Sequence, residues 1–400
     1  MKSFQKVVAV LLTAIILISA VSCTPISLTK QWSYKYNDSV LTTQQDIGVY
    51  IYALYQAYNA ASSYAQEAKG YKEGESFLDL KIKDDDGDKA IAREWILEEA
   101  EKIAVNIIAT DYLVEKHDAK YDEAEMASAK TTAKDTWEVG PQEYVSMGYY
   151  MPMSKELEKH GISFESFFAG SYAANVKQTA LFEKLYAKGG DEEVTDKELT
   201  KFFTEEYVNY SFIPVHLHDE TTDEDGNTKA TPFKDKKIKE IEKYIDGIVA
   251  EINNGSMTAT KAFDTVAKKY SVEETEIKKN TVEYFADTEA NNADIAKALK
   301  KLKTGKATQV TVNADGDSPE TYIVVKNDIN DSVKDYIKNE DKRNQVLSNC
   351  KKDDLTDYIE ETTKALIKSE ALSANTAVID RYKPDMFYVK PEATTEETAA

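Results

Sequence analysis

His216 and His218 are the side chains of this 400-residue sequence whose type and spacing come closest to a chemical site. They alternate in the run 210–218, which is rich in β-branched and aromatic residues. Because alternate residues of a strand point to one face, the two imidazoles could hold a metal at a sheet edge. A zinc site needs three or four ligands, and the sequence places no third one. We therefore predict no metal and no cofactor, and expect exposed histidines at a strand end beside acidic loop residues.

Cys23 follows a segment that is typical of a bacterial lipoprotein signal. Lys2 and Lys6 form a basic start, and residues 7–21 form an apolar run too short for a comfortable membrane span. Small residues before the cysteine resemble a lipobox, which implies removal of residues 1–22 and a lipid on the Cys23 thiol. A plain secretory signal with a chance cysteine, or an uncleaved anchor, stays open. We expect an extracytoplasmic protein anchored to the bacterial cell membrane, which needs two or more acyl chains.

Other motifs give no support to a hydrolase, a nucleotide-driven enzyme or a thiol redox enzyme. The sequence contains no G-x-S-x-G, H-E-x-x-H, phosphate-binding loop or C-x-x-C. The acidic run 84–88 does not fit a calcium-binding EF-hand loop, because Gly87 would place Ile82 at the first ligand position. Cys350 is expected to be a packing residue on a helix, and a lipidated Cys23 leaves it no intramolecular disulfide partner.

The composition excludes one class of partner. Lys and Arg number 50 against 71 Asp and Glu, so the net charge is -21, whereas a nucleic-acid-binding protein needs a basic surface. The length is sufficient for two domains, each with its own core. Tyrosine is abundant, at 25 residues against 13 phenylalanines. Because tyrosine combines an apolar ring with a polar tip, it suits half-buried faces and peptide-contact surfaces.

Helical periodicity dominates residues 36–192. Apolar side chains with helical spacing, and capping-box spacing between Thr42 and Gln45, predict a helix over 42–70. Residues 23–35 before it are expected to be a tether from the lipid to the domain. Further helices are predicted over 89–117, 120–136, 154–160 and 164–187.

Residues 193–328 combine helices with short strands. Thr195 and Glu198 have capping-box spacing in front of a helix. The strand-like run after that helix contains Pro214, which indicates an edge position or a bulge. The expected order is strand, helix, helix, weak strand, helix, strand, strand, with a charged loop over 219–230, helices over 235–253 and 262–270, and strands within 302–312 and 321–325. Few strands, covered by helices, predict a small α/β module.

The chain is expected to be helical again after Asp328. Residues 329–385 are expected to form C-terminal helices that pack on the N-terminal region. Residues 386–400, which are rich in Thr, Glu and Ala, are expected to form a disordered tail. The predicted fold class of the whole chain is α+β, mainly α, with a small module inserted between helical arms.

Residues 155–330 resemble a known family over their whole length. The stretches VTDKELTKFFTEEYVNYSFIPV, FDTVAKKYS, ALKKLKTGKATQV and ETYIVVKNDI resemble, in this order, four parts of the parvulin-type domain of PrsA/SurA-like extracytoplasmic foldases. The stretch GISFESFFAGSYAANVKQTALFEKLYA resembles the helix that precedes that domain in the family. Each motif alone is weak, whereas their order, their spacing and the lipobox together are moderately specific.

The resemblance implies a chaperone body made of the N- and C-terminal helices, with a peptidyl-prolyl isomerase module over 193–328. Residues 36–192 would form the N-terminal chaperone region of the SurA type. The implied partners are unfolded proteins that emerge from the secretion channel, and the sequence leaves the oligomeric state open.

The same resemblance implies a histidine in the first strand of the module and another in the last. Here Phe212 and Tyr322 stand at these positions, and the glycine pair that the family has before Tyr284 is absent. Proline isomerisation needs no nucleophile, because an apolar pocket that favours the twisted amide lowers a barrier of about 18–20 kcal/mol. Because Phe212 and Tyr322 cannot reproduce a pair of histidines, we expect weak or absent isomerase activity.

A peptide-binding groove is the site that we predict for this module. Its candidate residues are Phe212, Ile213, Tyr284, Phe285 and Tyr322, although ordinary core packing of these aromatic residues is the alternative. Three functions stay open: a chaperone with weak or lost isomerase activity, an active parvulin-type isomerase, and a surface lipoprotein that binds a solute or polymer.

Overall fold

The computed structural model describes residues 31–222, 228–314 and 316–389. The expected signal segment 1–22 and Cys23 lie outside the described residues. Contacts divide the chain into two compact units. Unit 1 holds the described residues of Met1–Glu193 and Lys351–Ala400, and unit 2 those of Val194–Cys350. The predicted α+β, mainly α class is confirmed, because long helices accompany small antiparallel sheets.

The strands are short and pair in antiparallel fashion throughout the described chain. They are β1 (Trp32–Asn37), β2 (Thr42–Asp46), β3 (Lys81–Lys83), β4 (Lys89–Ile91), β5 (Tyr207–His216), β6 (His218–Thr222), β7 (Thr228–Pro232), β8 (Lys278–Tyr284), β9 (Ala307–Val312), β10 (Glu320–Lys326) and β11 (Leu372–Ala374).

The helices range from single turns to 28 residues. They are α1 (Ile47–Ala65), α2 (Ala92–Lys116), α3 (Glu123–Glu138), α4 (Gln142–Ser146), α5 (Met153–Leu157), α6 (Phe164–Phe168), α7 (Ala174–Tyr186), α8 (Asp196–Glu206), α9 (Asp235–Asn254), α10 (Ala259–Tyr270), α11 (Phe285–Asn291), α12 (Ala293–Lys301), α13 (Asn330–Lys338), α14 (Glu340–Ile367) and α15 (Thr376–Ile379). A π-helical turn, Ala169–Ala173, joins α6 to α7 and interrupts the helix expected over 164–187.

Unit 1 is built around α1 and α2, which pack against each other. Each helix carries small or apolar residues four apart, and residues at this spacing lie on one side of a helix. Because alanine side chains are short, such ridges let two helix backbones approach closely. The buried ridges are Ala53, Ala57, Ala61 and Ala65 on α1, and Ala92, Ile96, Ala100 and Ala104 on α2.

The start of unit 1 differs from the expectation. Residues 32–35 of the expected tether belong to β1, which lies between β11 and β2 and buries Tyr34 in the core. The capping box of Thr42 and Gln45 is wrong, because both residues belong to β2. The helix begins at Ile47, where the Asp46 carboxylate caps it by accepting a hydrogen bond from Gly48 N at 2.8 Å.

The sheet of unit 2 has the strand order β8-β5-β10-β9. One face packs against the amphipathic helices α9 and α10, with Ile213, Ile245 and Phe263 in the shared core. The other face packs against α12 through Ile295 and Leu299. The order of helices and strands agrees with the expectation except in two places: residues 219–230 include the hairpin strands β6 and β7 instead of forming only a loop, and two helices, α11 and α12, follow β8 where one was expected.

Pro214 lies in β5, between β8 and β10 in the strand order. It faces Tyr322 of β10, whereas the pairing of β5 with β8 ends at Phe212 and is irregular between Tyr210 and Phe212. Because proline has no amide proton to donate, a position with a partner strand on one side only accommodates it. Of the two expected alternatives, an edge strand is wrong because β5 is an interior strand, and Pro214 instead follows the irregularity in register, where the pairing with β8 has ended.

The C-terminal third of the chain is shared by the two units. The expected module ends at Asp328, but α13 packs on α8 within unit 2, and the ring centroids of Tyr336 and Phe203 are 4.8 Å apart. The unit extends to Cys350, which lies partly buried on α14. Further on, Phe387 is buried in the core of unit 1, so the described residues 386–389 do not form the start of the expected tail.

Candidate functional site

The two faces of β5 separate the predicted groove residues. Ile213 is fully buried and packs with Ile245 under α9, so it lies on the face opposite Phe212. Phe212, Phe285 and Tyr322 lie together on the other face, in one cluster with α12. The structure therefore brings three of the five predicted residues together and places Ile213 in the core behind them.

The three residues form a half-buried surface that we call the aromatic face: Phe212, Phe285 and Tyr322, backed by the buried residues Tyr210, Ile295, Leu299 and Val324. The Tyr322 ring meets Phe212 edge-on, at 5.3 Å between centroids and 76° between planes. The Phe212 ring stacks on Tyr210 at 6.0 Å. Such ring pairs contribute about 0.5–1.5 kcal/mol beyond the area they bury, so the rings hold one another in place.

Two glutamate carboxylates accept hydrogen bonds from the tyrosine hydroxyl groups at this surface. Tyr210 Oη donates to Glu283 Oε2 at 2.8 Å, and Tyr322 Oη donates to Glu320 Oε2. Burial, and then the adjacent carboxylate, raise the pKa of both phenols far above the ordinary value. Both hydroxyls therefore stay protonated at neutral pH and act as donors, and their protons are already engaged by glutamate.

His216 lies between two carboxylates beside this surface. Its Nε2 is 2.8 Å from Glu276 Oε1, and its Nδ1 is 2.7 Å from Glu320 Oε1. Glu320 therefore contacts both His216 and Tyr322. His216 lies beside acidic residues as expected, but it is half-buried instead of exposed, with 38% of its side chain accessible.

His218 corrects the same expectation, because it is 6% exposed. Its Nδ1 is 3.1 Å from the carbonyl oxygen of Pro319, and its ring meets His216 at 5.2 Å. The hairpin of β6 and β7 and the residue before β10, Pro319, lie against this position. Neither contact can be predicted from the local sequence. Among the residues that the structure describes, no group of three His, Cys, Asp or Glu side chains is placed to hold a metal ion.

Tyr284 belongs to a separate aromatic cluster. Its ring lies 5.4 Å from Tyr207 and 6.0 Å from Phe202, where α8, β5 and β8 meet. Phe203 and Tyr336 complete the cluster, and Tyr207 Oη accepts a hydrogen bond from Asn349 Nδ2 at 2.8 Å. The alternative of ordinary core packing therefore fits Ile213, whereas Tyr284 is half-buried in this second cluster and does not belong to the aromatic face.

Three acidic neighbours of the candidate residues were not expected from the sequence: Glu276, Glu283 and Glu320. Glu320 and Tyr322 are two residues apart on a predicted strand, so a shared face could have been inferred. The partners Glu276 and Glu283 come from other elements, and only the folded chain brings them near.

Unit 1 contains a cleft of about 470 Å³ that no sequence motif predicts. It lies beside the N-terminus of α1 and the π-helical turn, and its polar lining includes Asp46, Glu165 and an ion pair of Lys177 Nζ with Asp111 Oδ1 at 2.5 Å.

Within the described ranges, no helix has the length and apolar character required to cross a membrane.

Comparisons with known proteins give a weak likeness. No family model matches the sequence, and no curated protein matches it. Among solved structures, the chain is similar to the foldase protein PrsA from Streptococcus pneumoniae str. Canada MDR_19A, with 16% identity and a TM-score of 0.34 over 73% of this chain and 96% of that chain. A TM-score this low carries no argument about fold or function, so the functional inference rests on the geometry above and on the sequence motifs.

Proposed function

We propose that this protein is a chaperone or foldase that binds unfolded polypeptides, and that the aromatic face of unit 2 contacts them. The observation that carries the proposal is the placement of Phe212, Phe285 and Tyr322 as half-buried rings on one sheet face over a buried apolar layer. Ordered aromatic rings offer a large contact area at a low cost in side-chain entropy. Extended chain segments with apolar or aromatic side chains are the partners that such a surface fits.

The binding that we propose is weak and of low sequence specificity. The hydroxyl groups at the aromatic face already donate to Glu283 and Glu320, so a bound peptide gains mainly apolar contacts there. The net charge of -21 disfavours acidic partners and nucleic acid, and favours segments with lysine or arginine near the apolar residues. No nucleotide-binding motif is present in the sequence, so release would follow from weak binding alone.

We also propose that isomerase activity is weak or lost. Phe212 and Tyr322 stand where the family resemblance implies histidines, and they contact each other on one face. A phenylalanine offers no hydrogen bond to a twisting amide, and the Tyr322 hydroxyl already donates its hydrogen bond to Glu320. An apolar proline pocket without a free donor stabilises the transition state less than one that has such a donor.

An active isomerase is the second candidate, and the same ring pair favours it. A proline ring packs well on aromatic side chains, and desolvation of the amide lowers its rotation barrier without any nucleophile. Relaxation of a proline peptide from cis to trans decides between the candidates, because the uncatalysed step takes tens of seconds and even modest acceleration is visible. Acceleration that Tyr322→Ala abolishes would establish the enzyme, and no acceleration by a folded protein that binds the peptide would establish the binding function alone.

The location is proposed from the N-terminal sequence. Cleavage before Cys23 and lipidation of its thiol would anchor the protein on the outer side of the bacterial cell membrane, where unfolded secreted proteins emerge. Metabolic labelling with a palmitate analogue tests this directly. Label that disappears in a Cys23→Ser variant supports the anchor, and label that persists in the variant contradicts it.

The chaperone function is tested with the full chain that follows the signal segment, with Cys23→Ser for solubility. Light scattering follows aggregation of a chemically unfolded client, with and without this protein. We expect the protein to delay aggregation, and the double variant Phe212→Ala/Tyr322→Ala to lose most of the effect. The matched control is Tyr121→Ser, which removes an exposed ring of unit 1. No delay by the parent protein, or full activity of the folded double variant, would contradict the proposal.

A further inference from the structure

Exposed apolar side chains are concentrated in one short segment of unit 1. The structure describes five large hydrophobic side chains as exposed, and three of them are Met147, Tyr149 and Tyr150, at 62%, 63% and 72%. The other two, Val40 and Tyr121, are scattered and only 38% and 39% exposed. Single exposed hydrophobic residues are normal on protein surfaces, whereas a cluster of them marks an interaction site.

The segment is a closed loop, which we call the 140–151 loop. At its base, Gly140 has a φ of +123°, and a Cβ atom there would lie 2.7 Å from the carbonyl oxygen of Met151. The two ends of the loop are therefore in backbone contact, as in Ω-loops, which are frequently functional. The flanking residues Trp137 and Leu157 are buried in the core of unit 1 and fix both ends.

Hydrogen bonds inside the loop give it a defined shape. α4 forms its first half, and Tyr149 N then donates to the carbonyl oxygen of Tyr144 at 2.9 Å. Gly148 N donates to the carbonyl oxygen of Val145 at 3.0 Å, in a left-handed turn with a φ of +86°. The exposure of Met147, Tyr149 and Tyr150 thus follows from a folded loop.

The charges around the loop identify the kind of partner. No lysine or arginine occurs between Lys134 and Lys155, whereas Glu138 and Glu143 are exposed in this interval. An anionic membrane surface attracts loops with basic residues, so this loop is poorly suited to lipid. A polypeptide segment with apolar side chains beside lysine or arginine complements both the rings and the carboxylates. Methionine and tyrosine also adapt to varied apolar sequences.

We propose that the 140–151 loop is a second polypeptide-binding surface, whose partner is an apolar segment flanked by basic residues in a non-native chain. The proposal rests on the proposed function and adds to it a second site, in unit 1, for the same kind of segment. The loop supplies apolar contacts through Met147, Tyr149 and Tyr150, and its exposed Glu143 favours basic flanks, whereas Glu138 before the loop already pairs with Lys134 at 3.8 Å.

The test uses the full chain without the signal segment and with Cys23→Ser. Fluorescence anisotropy measures the Kd of a labelled peptide that has a phenylalanine- and leucine-rich core between lysines, and of a matched peptide with glutamates instead. We expect the triple variant Met147→Ser/Tyr149→Ser/Tyr150→Ser to raise the Kd of the lysine peptide by about tenfold. The glutamate peptide should bind the parent protein more weakly, and the control Tyr121→Ser should bind the lysine peptide like the parent.

Several results would overturn the loop proposal. The first is an unchanged Kd for the lysine peptide in a triple variant whose circular dichroism is native, and the second is equal affinity of the parent protein for the two peptides. The third is loop-dependent binding to phosphatidylglycerol vesicles in place of peptide, and the fourth is self-association that the triple variant abolishes. The single variant Tyr150→Ser, at the most exposed position, serves if the triple variant does not fold. If the parent protein neither binds peptide nor delays aggregation, the proposed function fails. If aggregation is delayed and only Phe212→Ala/Tyr322→Ala matters, the loop proposal alone fails.

Discussion

Tyr322 and Phe212 touch through their rings although they are not opposite each other in the β-ladder. In the pairing of β10 with β5, Phe212 faces Val324 and Tyr322 faces Pro214. The ring contact is diagonal, at 5.3 Å between centroids, and diagonal neighbours on a sheet face are within reach of aromatic side chains. The two positions at which the family resemblance implies histidines are thus neighbours in space, and they hold an apolar pair.

Tyr322 separates the contribution of the ring from that of the hydroxyl. Tyr322→Phe removes the hydrogen bond to Glu320 and keeps the ring, so we expect unchanged client binding and a loss of about 1 kcal/mol in the free energy of unfolding. Tyr322→Ala removes the ring, so we expect client affinity to fall by about tenfold. Peptide anisotropy and urea unfolding measure the two effects. Equal loss of affinity in both variants would show that the hydroxyl contacts the client.

Ile213 distinguishes the core behind the sheet from the binding surface. Because its side chain is fully buried under α9, Ile213→Ala should destabilise unit 2 by about 2–5 kcal/mol and Ile213→Val by about 0.5–1.5 kcal/mol. All three tryptophans lie in unit 1, so hydrogen exchange of β5 and β10 is the suitable readout. Peptide affinity of the folded Val variant should equal that of the parent. A stable Ile213→Val variant with weakened peptide binding would show that Ile213 contributes to the binding site.

Tyr207 links the stability of unit 2 to alkaline pH. Burial raises its pKa to about 12, although the hydrogen bond from Asn349 acts in the opposite direction. A phenol whose pKa is higher in the folded state contributes full stability below the unfolded pKa of about 10, and this contribution is lost as the pH rises above that value. Urea unfolding should therefore show stability that falls between about pH 10 and pH 12, with a smaller slope in Tyr207→Phe. An identical slope in the variant would contradict the prediction.

Gly140 and Gly148 form a matched pair for the shape of the 140–151 loop. Both have positive φ, but a Cβ at Gly140 meets the Met151 backbone, whereas a Cβ at Gly148 meets no atom within 4 Å. We expect Gly148→Ala to lower the free energy of unfolding of unit 1 by about 1–2 kcal/mol, which is the penalty of a left-handed backbone alone. Gly140→Ala should lower it by more, because the backbone must also move. Tryptophan fluorescence reports unfolding of unit 1. Equal costs would show that the loop base is not closed.

Several features were determined by the sequence itself, because their causes are local. Thr195 and Glu198 form the expected capping box, in which each side chain bonds the other residue's backbone amide. Pro214 lies where a missing amide proton is tolerated, and the helix expected over 235–253 is α9, whose apolar spacing buries Ile241, Ile245 and Ile248. Such signals depend on residues within one or two turns, and those can be read without knowing the rest of the chain.

Other features were decided only by the tertiary structure. Thr42 has a helical cap signal, yet β2 pairs with β1, and pairing with a distant strand outweighs a weak local preference. Ile213 and Phe212 are adjacent in sequence, and only the packing of α9 and α12 assigns their opposite faces to a core and to a half-buried surface. The contact of Glu320 with His216 requires two strands, β5 and β10, that lie far apart in the chain. Local periodicity contains no information about such long-range pairing, because that pairing is fixed by which apolar faces the folded chain can bury together.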